Sequence, residues 1–69
     1  MGQYHSAEQY LIKVINFKPD FLMAYQNLFN LYCKTNRLIK AETILYKCLE
    51  IDPNNLLTIS NLGRFLLEE

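Results

Sequence analysis

The chain contains two prolines, Pro19 in "INFKPDFLM" and Pro53 in "KCLEIDPNNLL", and they stand 34 residues apart. Proline has no amide hydrogen and its ring collides with the carbonyl four residues back, so neither can occupy a helix interior. Yet apolar residues recur at three- and four-residue spacing on both sides of each one. A break every 34 residues leaves room for one helix, a turn and a second helix, which is the scale of a solenoid repeat. Shifting the chain over itself by that period pairs Ala7 with Ala41, Glu8 with Glu42, Leu11 with Leu45 and Lys13 with Lys47. It also pairs Pro19 with Pro53, Leu22 with Leu56, Asn27 with Asn61 and Leu28 with Leu62. These are eight identities among 35 aligned pairs. Unrelated segments of this composition would give roughly two or three.

Period and punctuation predict four helices. A first, about residues 4–17, carries Tyr4, Ala7, Leu11, Val14 and Ile15 on one stripe and ends before Pro19. Asp20 is placed to cap a second, about 21–35, which buries Ala24, Tyr25, Leu28, Leu31 and Tyr32. "TNR" at 35–37 interrupts the pattern. A third helix, about 38–51, buries Leu38, Ala41, Leu45, Cys48 and Leu49. "DPNN" stops it and offers Asn54 or Asn55 as the next cap, and a fourth helix, about 55–68, carries Ile59, Leu62, Gly63 and Leu66.

Composition narrows the functional classes. Seven basic and seven acidic side chains cancel and no run of like charge occurs, so the electrostatic footprint of a nucleic-acid binder is missing. No apolar run reaches the roughly 18 residues of a membrane span. The opening "MGQYHSAEQY" has neither a basic nor an apolar targeting region. The chain reads as soluble and intracellular, with a cytoplasmic location expected. Cys33 and Cys48 match no metal or redox spacing. Across an antiparallel helix pair they would be offset by about 12 Å, too far for a disulfide. His5 stands alone near a helix start, no Gly-rich phosphate loop exists, and neither catalysis nor a cofactor is implied. Glu68 and Glu69 read as a solvated helix end. With 51% hydrophobic residues and one core from 69 residues, surplus apolar surface is expected.

Tyr25, Leu28, Tyr32, Ala41, Leu45 and "DPNN" at 52–55 together resemble the signature of the tetratricopeptide repeat. "GQYHSA" at 2–7 resembles the start of the second helix of a preceding repeat, and "LLTISNLGRFLLEE" the first helix of a following one. The resemblance implies an all-α fold of antiparallel helix hairpins stacked as a short solenoid. Residues 1–21 would close a preceding repeat, 22–55 form a complete one, and 56–69 open the next, as in a fragment of a longer array. Three positions depart from the pattern: Phe29 replaces a small residue, Leu45 an aromatic and Cys48 an alanine. Small residues at Ala7, Ala41 and Gly63 are expected to let neighbouring helices approach closely, with Tyr25 and Tyr32 filling the space between them.

In this family the first helices of successive repeats line a concave groove, and the resemblance assigns that role to the second and fourth helices here. Their stripes away from the core carry Met23, Gln26, Asn27, Asn30 and Lys34, then Leu57, Ser60, Asn61, Arg64 and Glu68. An asparagine amide both donates and accepts, so it can pair with an extended peptide backbone of any sequence. The implied function is a protein-interaction module that binds an extended peptide or a helix. The family's carboxylate clamp needs several cations beside its asparagines, and Gln26 stands where that clamp carries lysine. Lys34 and Arg64 are likewise too few for a nucleic-acid groove. The alternative is a structural, self-assembling unit: Tyr4, Leu11 and Val14 at one end and Ile59, Leu62 and Leu66 at the other would pair between copies, giving a homo-oligomer, most simply a closed dimer.

Overall fold

The computed structural model describes residues 2–68 and contains four helices: α1 (Gly2–Phe17), α2 (Leu22–Lys34), α3 (Leu38–Ile51) and α4 (Leu56–Glu68). No strand occurs among the described residues. Glu69 lies outside them, as does the side chain of Glu68, so the expected solvated helix end is not described. The helices fall within three residues of the boundaries expected from the sequence, because each break has a local chemical cause.

At the first break the Lys18 amide still bonds the Val14 carbonyl at 2.8 Å, and the Phe21 amide then bonds Lys18 at 3.1 Å across a turn containing Pro19. That turn carries the chain one residue beyond Asp20 before α2 begins. Phe21, with φ −79° and ψ 93°, therefore occupies the N-cap position, and no side chain caps the helix. Asp20 was expected there; it sits one position too early to reach the orphan amides.

The α2–α3 turn is a Schellman motif. The Arg37 amide bonds the Tyr32 carbonyl at 2.8 Å, the Asn36 amide bonds Cys33 at 3.2 Å, and Asn36 takes the left-handed conformation at φ 59°. Asparagine tolerates that region better than most residues. The apolar contact that usually accompanies the motif is replaced by the Arg37 guanidinium, 4.7 Å from the Tyr32 ring centroid. At the third break the Asn54 amide bonds Oδ1 of Asp52 at 3.3 Å, and Asn55 Oδ1 accepts the Thr58 amide at 3.0 Å. Asn55 is thus the cap of α4, one of the two residues expected.

These short turns fold α1 against α2, α2 against α3, and α3 against α4. Tyr32, late in α2, reaches Glu8, early in α1, so those two helices run antiparallel. Gln26 and Asn55 meet at the starts of α2 and α4 and Phe29 meets Phe65 further along, so α2 and α4 run parallel. The core lies where α2 and α3 face each other, from Tyr25, Leu28, Phe29 and Tyr32 to Ala41, Leu45 and Cys48. All five residues expected to be buried on α2 are buried.

Three expectations are corrected by the packing. Leu38 is 46% exposed: it shares the stripe of Ala41 and Leu45 but is the first residue of α3, at the mouth of the turn, where the stripe runs out of the core. Phe29, where the repeat pattern has a small residue, meets Phe65 of α4, with ring centroids 6.1 Å apart and planes tilted by 59°. Close helix approach through a small residue occurs at Ala41, which has 0% exposure. Ala7 is exposed instead, and a Cβ on Gly63 would meet nothing within 4 Å, because no described helix packs on either. No disulfide joins Cys33 and Cys48. Burial pushes the Cys48 thiol up to about 11, which keeps it protonated and inert at neutral pH.

Ala41→Leu should lower stability by about 1–3 kcal/mol, since three added heavy atoms at a fully enclosed helix contact force the pair apart. Urea unfolding followed by circular dichroism measures this. A curve superimposable on the parent's would place Ala41 outside that contact.

Candidate peptide-binding groove

The relation between α2 and α4 is set by a polar joint. Gln26 Nε2 donates to Asn55 Oδ1 at 3.2 Å and to Thr58 Oγ1 at 3.4 Å, while Asn55 holds the Thr58 amide. Thr58 is buried, so the joint closes a site that would otherwise hold unsatisfied polar atoms. The sequence reading placed Gln26 among the groove residues; in the structure its amide instead fastens the starts of the two groove helices.

Beyond that joint a cleft of about 90 Å³ opens between α2 and α4, and it brings together three of the expected residues, Asn30, Asn61 and Arg64. Phe29 and Phe65 form its apolar wall, with Cys33 beside them. Asn61 is only 7% exposed, yet no buried side-chain nitrogen or oxygen among the described residues lacks a partner. With no described group bonded to it, the Asn61 amide must keep its polar atoms at the open side of the cleft. Asn30 and Arg64 are exposed and likewise carry no described hydrogen bond or ion pair.

A wider cleft of about 460 Å³ lies between α1 and α2. It collects Asn27 and Lys34, shares Asn30 with the first, and is walled by Tyr4, Tyr10 and Leu11 of α1. Asn30 therefore stands where the two clefts meet. Met23, Leu57 and Ser60 are exposed near the starts of α2 and α4 and line neither cleft. The α1 wall was not anticipated as part of the groove. Its signal was present in the sequence: Tyr10 follows Ala7 by three residues and so shares its face.

That wall is held by a charged clasp. Glu8 Oε2 accepts a hydrogen bond from the Tyr32 hydroxyl at 2.9 Å, and Glu8 Oε1 pairs with Arg37 at 2.9 Å. Burial alone would raise the Glu8 pKa. The Tyr32 and Arg37 bonds, with the positive fields of Arg37 and Lys40, outweigh it and hold the carboxyl below its ordinary value. Burial and the facing Glu8 raise the Tyr32 hydroxyl in turn. His5 and Gln9 bond to each other one turn apart on the exposed side of α1, away from this clasp.

Residues 23–55 match the tetratricopeptide repeat family. That stretch is a tetratricopeptide repeat. The matched residues cover α2 from Met23 onward, all of α3 and the turn that follows each. Such repeats are in general protein-interaction modules, and this is the coarse functional class of the chain. No curated protein matches it in sequence. No helix among the described residues is long and apolar enough to cross a membrane.

Because Glu8 is depressed in the folded state, its clasp contributes stability fully above the ordinary value of 4.5 and loses it as the pH falls through the folded value. Glu8→Gln should therefore lower the melting temperature at pH 7, with the gap from the parent closing below pH 4.5. Thermal melts across the pH range check this; a gap that stays constant with pH would mean that the Glu8 charge is not what holds α1.

Proposed function

We propose that the tetratricopeptide module captures an extended peptide or short helix along the face shared by α1, α2 and α4. The observation that carries this reading is the convergence of Asn30, Asn61 and Arg64 on one cleft with none of them engaged by another described side chain. Amides facing an apolar wall suit a partner whose backbone is extended: Asn30 and Asn61 pair with its amides and carbonyls, while Phe29 and Phe65 receive an apolar side chain. Lys34 and Arg64 add positive charge at both ends of this surface and favour a carboxylate on the partner. In this reading α1 has the role of a repeat's second helix, residues 22–55 form a complete repeat and α4 has the role of a first helix.

The test is a random peptide library panned against the chain, followed by fluorescence anisotropy on the selected peptides. Asn30→Ala and Arg64→Ala alter exposed side chains, so helicity should be retained while affinity falls roughly tenfold per lost contact. Selected peptides that bind both variants like the parent would place the binding surface elsewhere.

A second reading, self-assembly, is favoured by the repeat itself. Ile59, Leu62, Gly63 and Leu66 of α4 stand 34 residues after Tyr25, Leu28, Phe29 and Tyr32, the α2 residues that cover α3. Ile59 and Leu66 are exposed and Gly63 faces open space. A helix of the α3 type would seat there, and α1 of a second copy, with Ala7 where α3 has Ala41, is of that type. Sedimentation equilibrium over a hundredfold concentration range tests it. Association that Leu66→Glu abolishes supports the reading, and a monomer throughout removes it.

A further inference from the structure

The outer side of the first turns of α3 carries a second surface that shares no residue with the two clefts above. Arg37, Leu38, Ile39 and Lys40 shape a shallow cleft of about 410 Å³ at the α2–α3 turn. A smaller one of about 190 Å³ lies beside it, shares Ile39 and Lys40, and is bounded by Tyr32 and Ile44. Ile39 is 84% exposed, among the most exposed of the large apolar side chains, and Leu38 next to it is half exposed. A single exposed apolar residue calls for no explanation. Here two adjoin a pair of linked depressions, and the charge around them is one-sided.

Arg37 and Lys40 line these depressions and no acidic residue does. Glu8 answers Arg37, but no described carboxylate pairs with Lys40. Both cations nearest the depressions are held over one ring: the Arg37 guanidinium lies 4.7 Å and Lys40 Nζ 5.8 Å from the Tyr32 centroid. A cation already held in place loses less freedom when an anion arrives, and with Arg37 taken by Glu8 it is Lys40 that is prepared for a partner's carboxylate.

We propose that this surface docks a partner peptide in which a large apolar side chain is flanked by aspartate or glutamate. The apolar side chain enters between Ile39, Ile44 and Tyr32, and a flanking carboxylate meets Lys40. Cations beside apolar groups also suit an anionic lipid surface. Two exposed side chains at one turn bury too little for bilayer attachment, however, whereas linked depressions of side-chain size suit a peptide. This site stands on α3 and is independent of the groove between α2 and α4.

The probe is a fluorescein-labelled dodecapeptide of alternating leucine and glutamate, measured by anisotropy at low and physiological salt. The same sequence with lysine for glutamate, and vesicles of phosphatidylserine and phosphatidylcholine, serve as comparisons. The proposal expects saturable, salt-weakened binding of the acidic peptide only. It further expects Ile39→Asp and Lys40→Glu each to weaken that binding by at least about tenfold with helicity unchanged. Lys13→Ala, which removes an exposed cation of α1 that lines none of these clefts, should leave it intact. Absence of saturable binding, parent-like affinity in Ile39→Asp and Lys40→Glu, loss of binding in Lys13→Ala, or capture of vesicles without the peptide would each overturn the proposal.

Discussion

Everything in this molecule depends on how closely α2 and α3 approach at Ala41. A helix can bury only one stripe of itself, and two thirteen- or fourteen-residue helices are too short to persist alone in water. With a methyl at the crossing, the larger side chains on either side interdigitate: Leu28 and Tyr32 from α2, Leu45 and Cys48 from α3. The Schellman turn at Asn36 delivers the two helices to that crossing in register, since its bonds satisfy the last carbonyls of α2 and start α3 two residues later. Once the hairpin exists it presents surfaces on both sides, and α1 and α4 settle on those surfaces by different chemistry.

On one side the settling is electrostatic and polar. Tyr32 sits in the hairpin core, but its hydroxyl reaches out to Glu8, and Arg37 from the turn completes the clasp. A buried tyrosine must place its hydroxyl against a partner, so the residue that fills the core also decides where α1 lies. On the other side, Phe29 and Phe65 supply apolar contact while Gln26, Asn55 and Thr58 supply a hydrogen-bonded joint that fixes α4 parallel to α2. The apolar pair holds the helices together with little directional demand; the amide joint sets their register.

Most of the architecture was legible in the sequence because it rests on local chemistry. Pro19, Pro53 and Asn36 mark breaks that follow from backbone sterics alone, and the stripe through Tyr25, Leu28 and Tyr32 is a helical period that only one packing can satisfy. What was missed depends on contacts between elements. Asp20 looks like a cap until the turn at Pro19 places Phe21 at that position. Gln26, read from the sequence as a groove residue, also bonds Asn55 and Thr58 from 29 and 32 residues away, which no local pattern shows. Phe65 and Thr58 fall off the stripe of Ile59 and Leu62, and only the position of α4 against α2 shows that two faces of that helix are used, one inward and one left open. In the groove, Asn30, Asn61 and Arg64 meet as helical spacing suggested, whereas the contribution of α1 follows from a clasp between residues 24 and 29 positions apart.

The distribution of polar and apolar surface then separates the faces by the partner each can hold. The cleft between α2 and α4 sets the amides of Asn30 and Asn61 and the Arg64 cation beside phenylalanine rings, so it offers directional bonds as well as charge. The start of α3 exposes isoleucine and leucine beside cations steadied on Tyr32, so it discriminates by sign of charge and offers few directional bonds. Tyr32 links the two ends of this arrangement, because the same ring fills the core, clasps α1 through Glu8 and seats Arg37 and Lys40. Removing the ring would therefore disturb the core, the α1 wall and the cationic edge at once. A chain of 69 residues has few side chains to spare, and it uses a core aromatic to position charges on its surface.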